Sequence, residues 1–258
     1  MKLRGRFTFT LALAALVPIS VAAVVTRQVI ASSAQNEYRA LRESSEATMK
    51  AAIDKFSNQV GTVAKSLASP DHPYVAGMLR AMLNNTQNLR EIREQGVPWM
   101  KGLALEVLTI TDNDNLVVVS AHNRSAQNER NETVKLRADQ RKGTPYFTFE
   151  DVQRADALSS TETKPVLVAE AARTLTDRRS PSDPPKTVAV IAGRRVADDL
   201  VSSVYRQGRV DARIVKPNGE VVVPAIGSDW AALAKDAPSR LELKGPDNEL
   251  VGYVEIAV

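Results

Sequence analysis

A chain of 258 residues with 43% apolar and 25% charged side chains has the material for a full-sized core, and with aromatics at only 5% that core must rely on Val, Leu, Ile and Ala. It has no cysteine and only two histidines, His72 and His122, which excludes disulfides, thiolate chemistry and a histidine-rich metal centre; no metal and no cofactor is expected. The formal charge of +4 comes mostly from Lys2, Arg4 and Arg6, and past them basic and acidic side chains nearly balance, so nucleic-acid binding is excluded as a function class.

Residues 7–25, FTFTLALAALVPISVAAVV, carry no charge. As a helix they reach about 28 Å, the depth of a bilayer's hydrocarbon core. The basic flank MKLRGR holds the N-terminus in the cytoplasm. Residues 1–26 are therefore expected to form an uncleaved inner-membrane anchor, with everything beyond them outside the cytoplasm. A cleaved signal peptide is the alternative, with small-residue cleavage points at Ser20-Val21-Ala22 and Ser32-Ser33-Ala34.

Residues 27–69 form the next unit. Up to 68 they contain no proline, and Gly61 is the only glycine. Tyr38, Leu41, Met49, Ile53, Phe56, Val60, Val63 and Leu67 make an apolar stripe that is heptad-like from Met49 onward. Such a stripe either packs on its own domain or pairs with a second copy as a homodimer. Both hold if the membrane-near half pairs and the distal half packs.

Ser69-Pro70 ends this helix, and Asp71 with Pro73 opens another, carrying Val75, Leu79, Met82 and Leu83, with Leu89 and Ile92 further on. Gly96-Val97-Pro98-Trp99 is expected to break it. Beyond, LALEVLTI (103–110) and LVVVS (116–120) flank Asp112-Asn113-Asp114-Asn115 as a hairpin. Residues 121–145 are polar and read as irregular. PVLVAEAARTL (165–175) and TVAVIAG (187–193) read as a strand pair around the proline-rich tip DRRSPSDPPK. Residues 196–207 read as a short helix. DARIVKPNGEVVV turns at Asn218-Gly219, and strands near 240–244 and 249–258 close the chain. With no long crossover helices between strands, the expected class is α+β with a mostly antiparallel sheet covered by helices. Residues 70–258 make this domain, as one sheet or as two sub-sheets, about 70–193 and 194–258.

No catalytic motif occurs: no Gly-x-x-x-x-Gly-Lys, Gly-x-Gly-x-x-Gly, Gly-x-Ser-x-Gly or His-Glu-x-x-His. Asp112-Asn113-Asp114 resembles the start of a calcium loop but lacks its glycine and reads as a turn. The candidate ligand-binding residues are Trp99, Ser120, His122, Tyr146 and Arg173. His122 follows a buried-looking strand, and a plain hydrogen-bonded histidine is its simpler reading. A Ser–His–acid triad can be drawn on paper from Ser120 or Ser125. Arg173 ends an apolar strand and needs either a protein carboxylate or an anionic ligand. Trp99 and Tyr146 are pocket walls or core.

The anchor helix running into a long exported helix, the hairpin LEVLTITDNDNLVVVSAH, the pair VLVAEAARTL and TVAVIAGRRVADDLV, the hairpin DARIVKPNGEVVV and the closing ELVGYVEIAV together resemble the Cache-type, PAS-like extracytoplasmic sensor domains of bacterial transmembrane receptors, sensor histidine kinases above all. The resemblance implies a dimer, a small-molecule pocket on one face of the sheet, and a second transmembrane helix leading to cytoplasmic signalling modules. Since the sequence stops at Val258 at a strand end, the expectation is an input region cut before that second helix, with any kinase activity outside these residues. The alternative is a membrane-anchored envelope adaptor that binds partners through the 27–68 helix; an exported hydrolase is a third reading.

Overall fold

The computed structural model describes residues 2–83, 89–153, 163–177, 181–205, 210–227, 230–234 and 237–258. Helix α1 (Lys2–Leu67) is continuous through Pro18. Helices α2 (Pro73–Leu83) and α3 (Leu89–Gly102) follow it. The first sheet comprises β1 (Val107–Thr111), β2 (Val117–Ser120), β3 (Tyr146–Gln153), β4 (Thr163–Asp177) and β5 (Lys186–Arg195), with a 3-10 turn at Arg124–Ala126 and α4 (Glu132–Arg141) between β2 and β3. After α5 (Asp198–Tyr205), the second sheet is built from β6 (Asp211–Val215), β7 (Val221–Val223), β8 (Ser239–Lys244) and β9 (Leu250–Ala257), with α6 (Trp230–Leu233) before β8. The strand orders are β2-β1-β5-β4-β3 and β7-β6-β9-β8, and every pairing is antiparallel. The α+β class and the antiparallel pattern are as the sequence predicts.

Period-2 alternation sorts the first sheet into two faces. Leu108, Ile110, Ala169, Ala171, Val190 and Ala192 point to the side where Val60, Ala64 and Leu67 of α1 and Met78 and Leu79 of α2 pack. This core continues into the second sheet through Ile214, Leu243, Val254 and Ile256. Arg42 of α1 hydrogen-bonds Ser239 at the start of β8, and Met49 is fully buried, so α1 bridges both sheets. The opposite face of the first sheet carries Val107, Val168, Ala172, Ala189 and Ile191, covered by Val134 and Ala138 of α4.

Several expected elements shift. The break expected at Gly96–Trp99 is absent, and α3 runs through Pro98 to Gly102; a proline near a helix end forfeits one bond to the carbonyl four residues back, which solvent can take over. Residues 103–106 are not strand. They close α3: Leu105 N–H reaches Met100 C=O at 2.9 Å and Ala104 N–H reaches Lys101 C=O at 3.1 Å, a Schellman pattern. Residues 121–145 are not irregular throughout, since α4 lies among them. Asn131 caps α4 by accepting from Thr133 N–H at 3.1 Å. The proline-rich tip is described only in part, since residues 178–180 lie outside the described residues. The acidic tip is the expected turn, with Asp112 Oδ1 accepting from Asp114 and Leu116 N–H, both at 2.9 Å.

Two stability predictions arise here. Ala104 closes the Schellman pattern at φ 52, a left-handed conformation that strains any side chain. Ala104→Gly is expected to raise stability by about 0.5–1 kcal/mol in urea unfolding, and an unchanged midpoint would show that the position carries no strain. Asp211 is buried and accepts from three backbone N–H groups: Ala212 at 2.9 Å, Ile226 at 3.2 Å and Gly227 at 2.8 Å. Asp211→Ala strands these donors and is expected to cost about 2 kcal/mol in the same measurement, with Asp211→Asn costing less.

The anchor expectation meets a narrower observation. Among the described residues no helix is long and apolar enough to cross a membrane. The side chains of residues 7–15 and 17, most of the apolar run, lie outside the described residues. Those that are described, including Leu16, Ile19, Val21, Val24, Val25 and Ile30, are exposed.

Candidate functional site

Tyr146, Glu170, Gly193 and Val107 lie opposite one another on four neighbouring strands. The row faces α4. Glu170 is completely buried there. Its carboxyl occupies space that only a glycine at 193 leaves open: a Cβ there would come within 3.0 Å of Glu170 Cγ and 2.9 Å of Val107 Cβ. Glu170 Oε2 accepts from Tyr146 O–H at 2.9 Å and, more weakly, from Arg137 Nη1 at 3.5 Å. Arg137, on α4, also donates to Glu150 Oε1 at 3.3 Å. Its guanidinium and that of Arg141, one turn on, sit 5.6 and 5.9 Å from the Tyr146 ring centre. Glu170 Oε1 is buried and has no hydrogen-bond partner among the described residues.

Burial, aided by the nearby Glu150 carboxylate, pushes Glu170 up to about 8 against the opposing pull of Arg137 and the Tyr146 hydroxyl. Burial likewise raises Glu150 and Tyr146. Arg137 stays firmly charged: burial opposes its charge, but Tyr146, Glu170 and Glu150 outweigh it. A half-satisfied buried carboxyl beside an arginine and a tyrosine is costly for stability alone, and the cluster offers both acceptors and cations to a small polar molecule.

The layer under α4 is closed on a further side. Although β2 and β3 are opposite edges of the sheet, Gln153 N–H at the end of β3 donates to His122 C=O at 3.0 Å. Arg124 N–H reaches the Gln153 side chain at 3.4 Å. The far end of β3 therefore bends over this face, with Val152 and Val166 packed on the same apolar patch as α4. His122 sits at the seam, buried, and burial lowers it to about 4 against a backbone hydrogen bond at Leu108. Its Nδ1 has no partner among the described residues, nor do Ser120 Oγ and Thr111 Oγ1. Ser120 pairs with Thr109, which places it on the α4 side three strand spacings, about 14 Å, from β4.

Of the five candidates, the structure thus places Tyr146 and Ser120 on the α4 face, with His122 at its rim. Trp99 and Arg173 are elsewhere. Trp99 packs on the α1-side core and meets His72 edge to face at 4.9 Å. Arg173 is opposite Val190 in the register, hence on the α1 side. It forms no ion pair among the described residues, and it fills the space beside Gly143, whose φ of 85 suits glycine alone. Sequence reasoning missed Glu170, Arg137, Arg141 and Glu150. The signal available for Glu170 was a carboxylate inside an apolar strand whose partner strand carries a glycine. The paper triad is not assembled among the described residues: neither Ser120 Oγ nor His122 Nδ1 has a hydrogen-bond partner there, and Ser125 Oγ donates to Asn123 Oδ1 at 2.6 Å.

A second charged group, on the other sheet, serves as a contrast. Glu255 receives Arg213 on one oxygen and Arg240 on the other, each at 2.8 Å. Both oxygens are satisfied, so this ladder across β6, β9 and β8 holds the sheet together and leaves nothing to offer a ligand.

No family model matches the sequence, and no curated protein matches it. Solved structures do. The periplasmic domain of Vibrio cholerae LuxQ matches with a TM-score of 0.50 at 12% identity, over 84% of this chain and 99% of that one. The sensor domain of the V. cholerae histidine kinase DctB matches at 0.43 and 11% identity, over 86% and 95%. The sensory domain of the Campylobacter jejuni chemoreceptor Tlp3, with isoleucine bound, matches at 0.41 and 10% identity, over 84% and 88%. The chain therefore shares its fold with the periplasmic domain of LuxQ.

Proposed function

We propose that this chain is the extracytoplasmic ligand-sensing input region of a membrane-bound signal-transduction receptor, of the sensor histidine kinase kind. The carrying observation is the α4-covered face of the first sheet, where Glu170 keeps an unpartnered oxygen beneath Arg137, Arg141 and Tyr146. The fold shared with the LuxQ periplasmic domain supports the reading. Residues 7–25 act as the inner-membrane anchor, 27–69 as the connecting helix and 70–258 as the sensor in two sub-sheets. The exposed stretch of α1 around Ala22, Ala23, Thr26, Arg27, Ile30 and Ala34 is the face we assign to a second copy of the helix. The adaptor alternative, with partners bound through the 27–68 helix, is favoured by an exposed apolar stripe on that helix, whereas Met49, Val60, Ala64 and Leu67 are buried in the chain's own core.

A thermal-shift screen of the full chain against organic acids, amino acids and divalent ions tests the reading. A ligand of the α4 face raises Tm by mass action, and Arg137→Ala or Tyr146→Phe abolishes the shift. A shift untouched by both substitutions would place binding elsewhere and sink the assignment of this site.

A further inference from the structure

The second sheet holds no open polar site comparable to the first among the described residues, yet two of its turns are seated against the site's own elements. Arg141 of α4, whose Nη2 donates to Pro145 C=O at 3.1 Å and whose guanidinium faces Tyr146, also extends Nη1 to Asn248 Oδ1 at 3.5 Å. Asn248 is at the tip of the β8–β9 hairpin. It stands at φ 62 in a turn locked by Asn248 N–H to Gly245 C=O at 3.1 Å and Gly245 N–H to Glu249 C=O at 2.9 Å. The β6–β7 turn makes the other contact: Lys216 Nζ, fixed by both Glu220 oxygens at 2.8 and 2.9 Å, lies 5.3 Å from the ring centre of Phe149 on β3. At the far end of β8, Ser239 accepts from Arg42 of α1. Arg42 also meets Glu46, and Ser45 and Met49 are buried on that side.

A hydrogen-bonded hairpin thus has its tip on the roof of the site and its base on α1 at Arg42, where the helix first meets the folded body. We infer that the β8–β9 hairpin is a relay: a change in the α4 face shifts Arg141 against Asn248, and the paired strands pass the shift to α1 at Arg42–Met49. Arg141 and Asn248 are positioning residues in this scheme. The inference rests on the α4 face being the sensing site. The floor of the site offers a different connection. Arg194, next to Gly193, stacks over Phe56 at 5.5 Å and donates to Gln59 at 3.2 Å, higher on α1. The two routes end at different places on the helix, so they are separable.

Hydrogen exchange on the full chain at pH 8.5 tests the relay, with Glu170→Gln as the perturbation because it removes the site's titrating charge without needing a ligand. The expected result is a several-fold change in exchange for α4, for residues 239–250 and for residues 41–49. Adding Asn248→Gly keeps the left-handed turn and removes only the side chain, and Lys216→Met removes the second contact. With both, the α4 response should persist while that at 239–250 and 41–49 is lost. Arg194→Gln should leave the response at 41–49 intact. The relay is overturned if α4 does not respond to Glu170→Gln, if 41–49 stays silent while α4 responds, or if 41–49 still responds with both seam contacts removed. These outcomes are independent of the ligand screen, so a confirmed ligand with a silent 41–49 would retain the sensor and discard the relay.

Discussion

Replacing Glu170 by Gln is expected to flatten the pH dependence of this protein's stability between about pH 5 and 8 and to make it more stable than the parent at pH 9. Glu170 titrates near 8 in the folded chain and near 4.5 as an ordinary carboxyl. Between those values the folded state holds a proton that the unfolded state has released. Stability therefore falls as pH rises through this window and levels off above it. A shift of this size corresponds to a loss on the order of 3–5 kcal/mol, less whatever relaxation recovers. Gln keeps the shape and a donor for the buried oxygen's position but has no proton to lose. Urea midpoints of both proteins at pH 5, 6, 7, 8 and 9 measure the difference. Parallel curves would mean that Glu170 titrates normally and that its burial is relieved by something other than a proton.

Arg137→Met should be the most damaging single change on α4, and the damage should depend on pH. Arg137 is the cation shared by Glu150 and Glu170, at 3.3 and 3.5 Å. Without it, the buried Glu170 and the half-buried Glu150 lose the counter-charge they share. Breaking such a group typically costs about 3 kcal/mol or more when the acids are ionised. At pH 9 the full cost is expected. At pH 6 Glu170 is protonated and the cost should shrink by half or more. The Glu170→Gln background should remove most of it at every pH. Met preserves much of the aliphatic stem that carries the guanidinium over Tyr146, so a loss equal at both pH values would assign the effect to packing and refute the electrostatic account.

Much of the scaffold was legible because local rules govern it. The 27–68 helix lacks breakers and carries its stripe; Asp112 and Asn218-Gly219 specify their turns; adjacent β-runs without crossovers dictate antiparallel pairing. The site was less legible for identifiable reasons. β4 is buried on both faces, so VLVAEAARTL shows no alternation that says which side Glu170 or Arg173 faces. Arg173 drew attention as the lone cation, but the register turns it to the α1 side. Helix α4 buries only Val134 and Ala138, too narrow a stripe to stand out from a polar stretch. The partners of Glu170 come from β3 and α4, 24 and 33 residues away; no spacing rule links them. Pro98 looked like a stop because its one missing hydrogen bond is visible in the sequence, whereas the burial of Met100 that carries α3 onward is not.

The unbroken course of α1 has a geometric consequence. From Leu41, where the helix joins the core, to Val25 there are about 24 Å of helix that is exposed apart from the half-buried Tyr38. A stiff rod pivoting at Leu41 converts a tilt of about 7° into a displacement of about 3 Å at Val25. A change in packing around Arg42 and Met49 that tilts the helix by that much is therefore enlarged at Val25 instead of being absorbed.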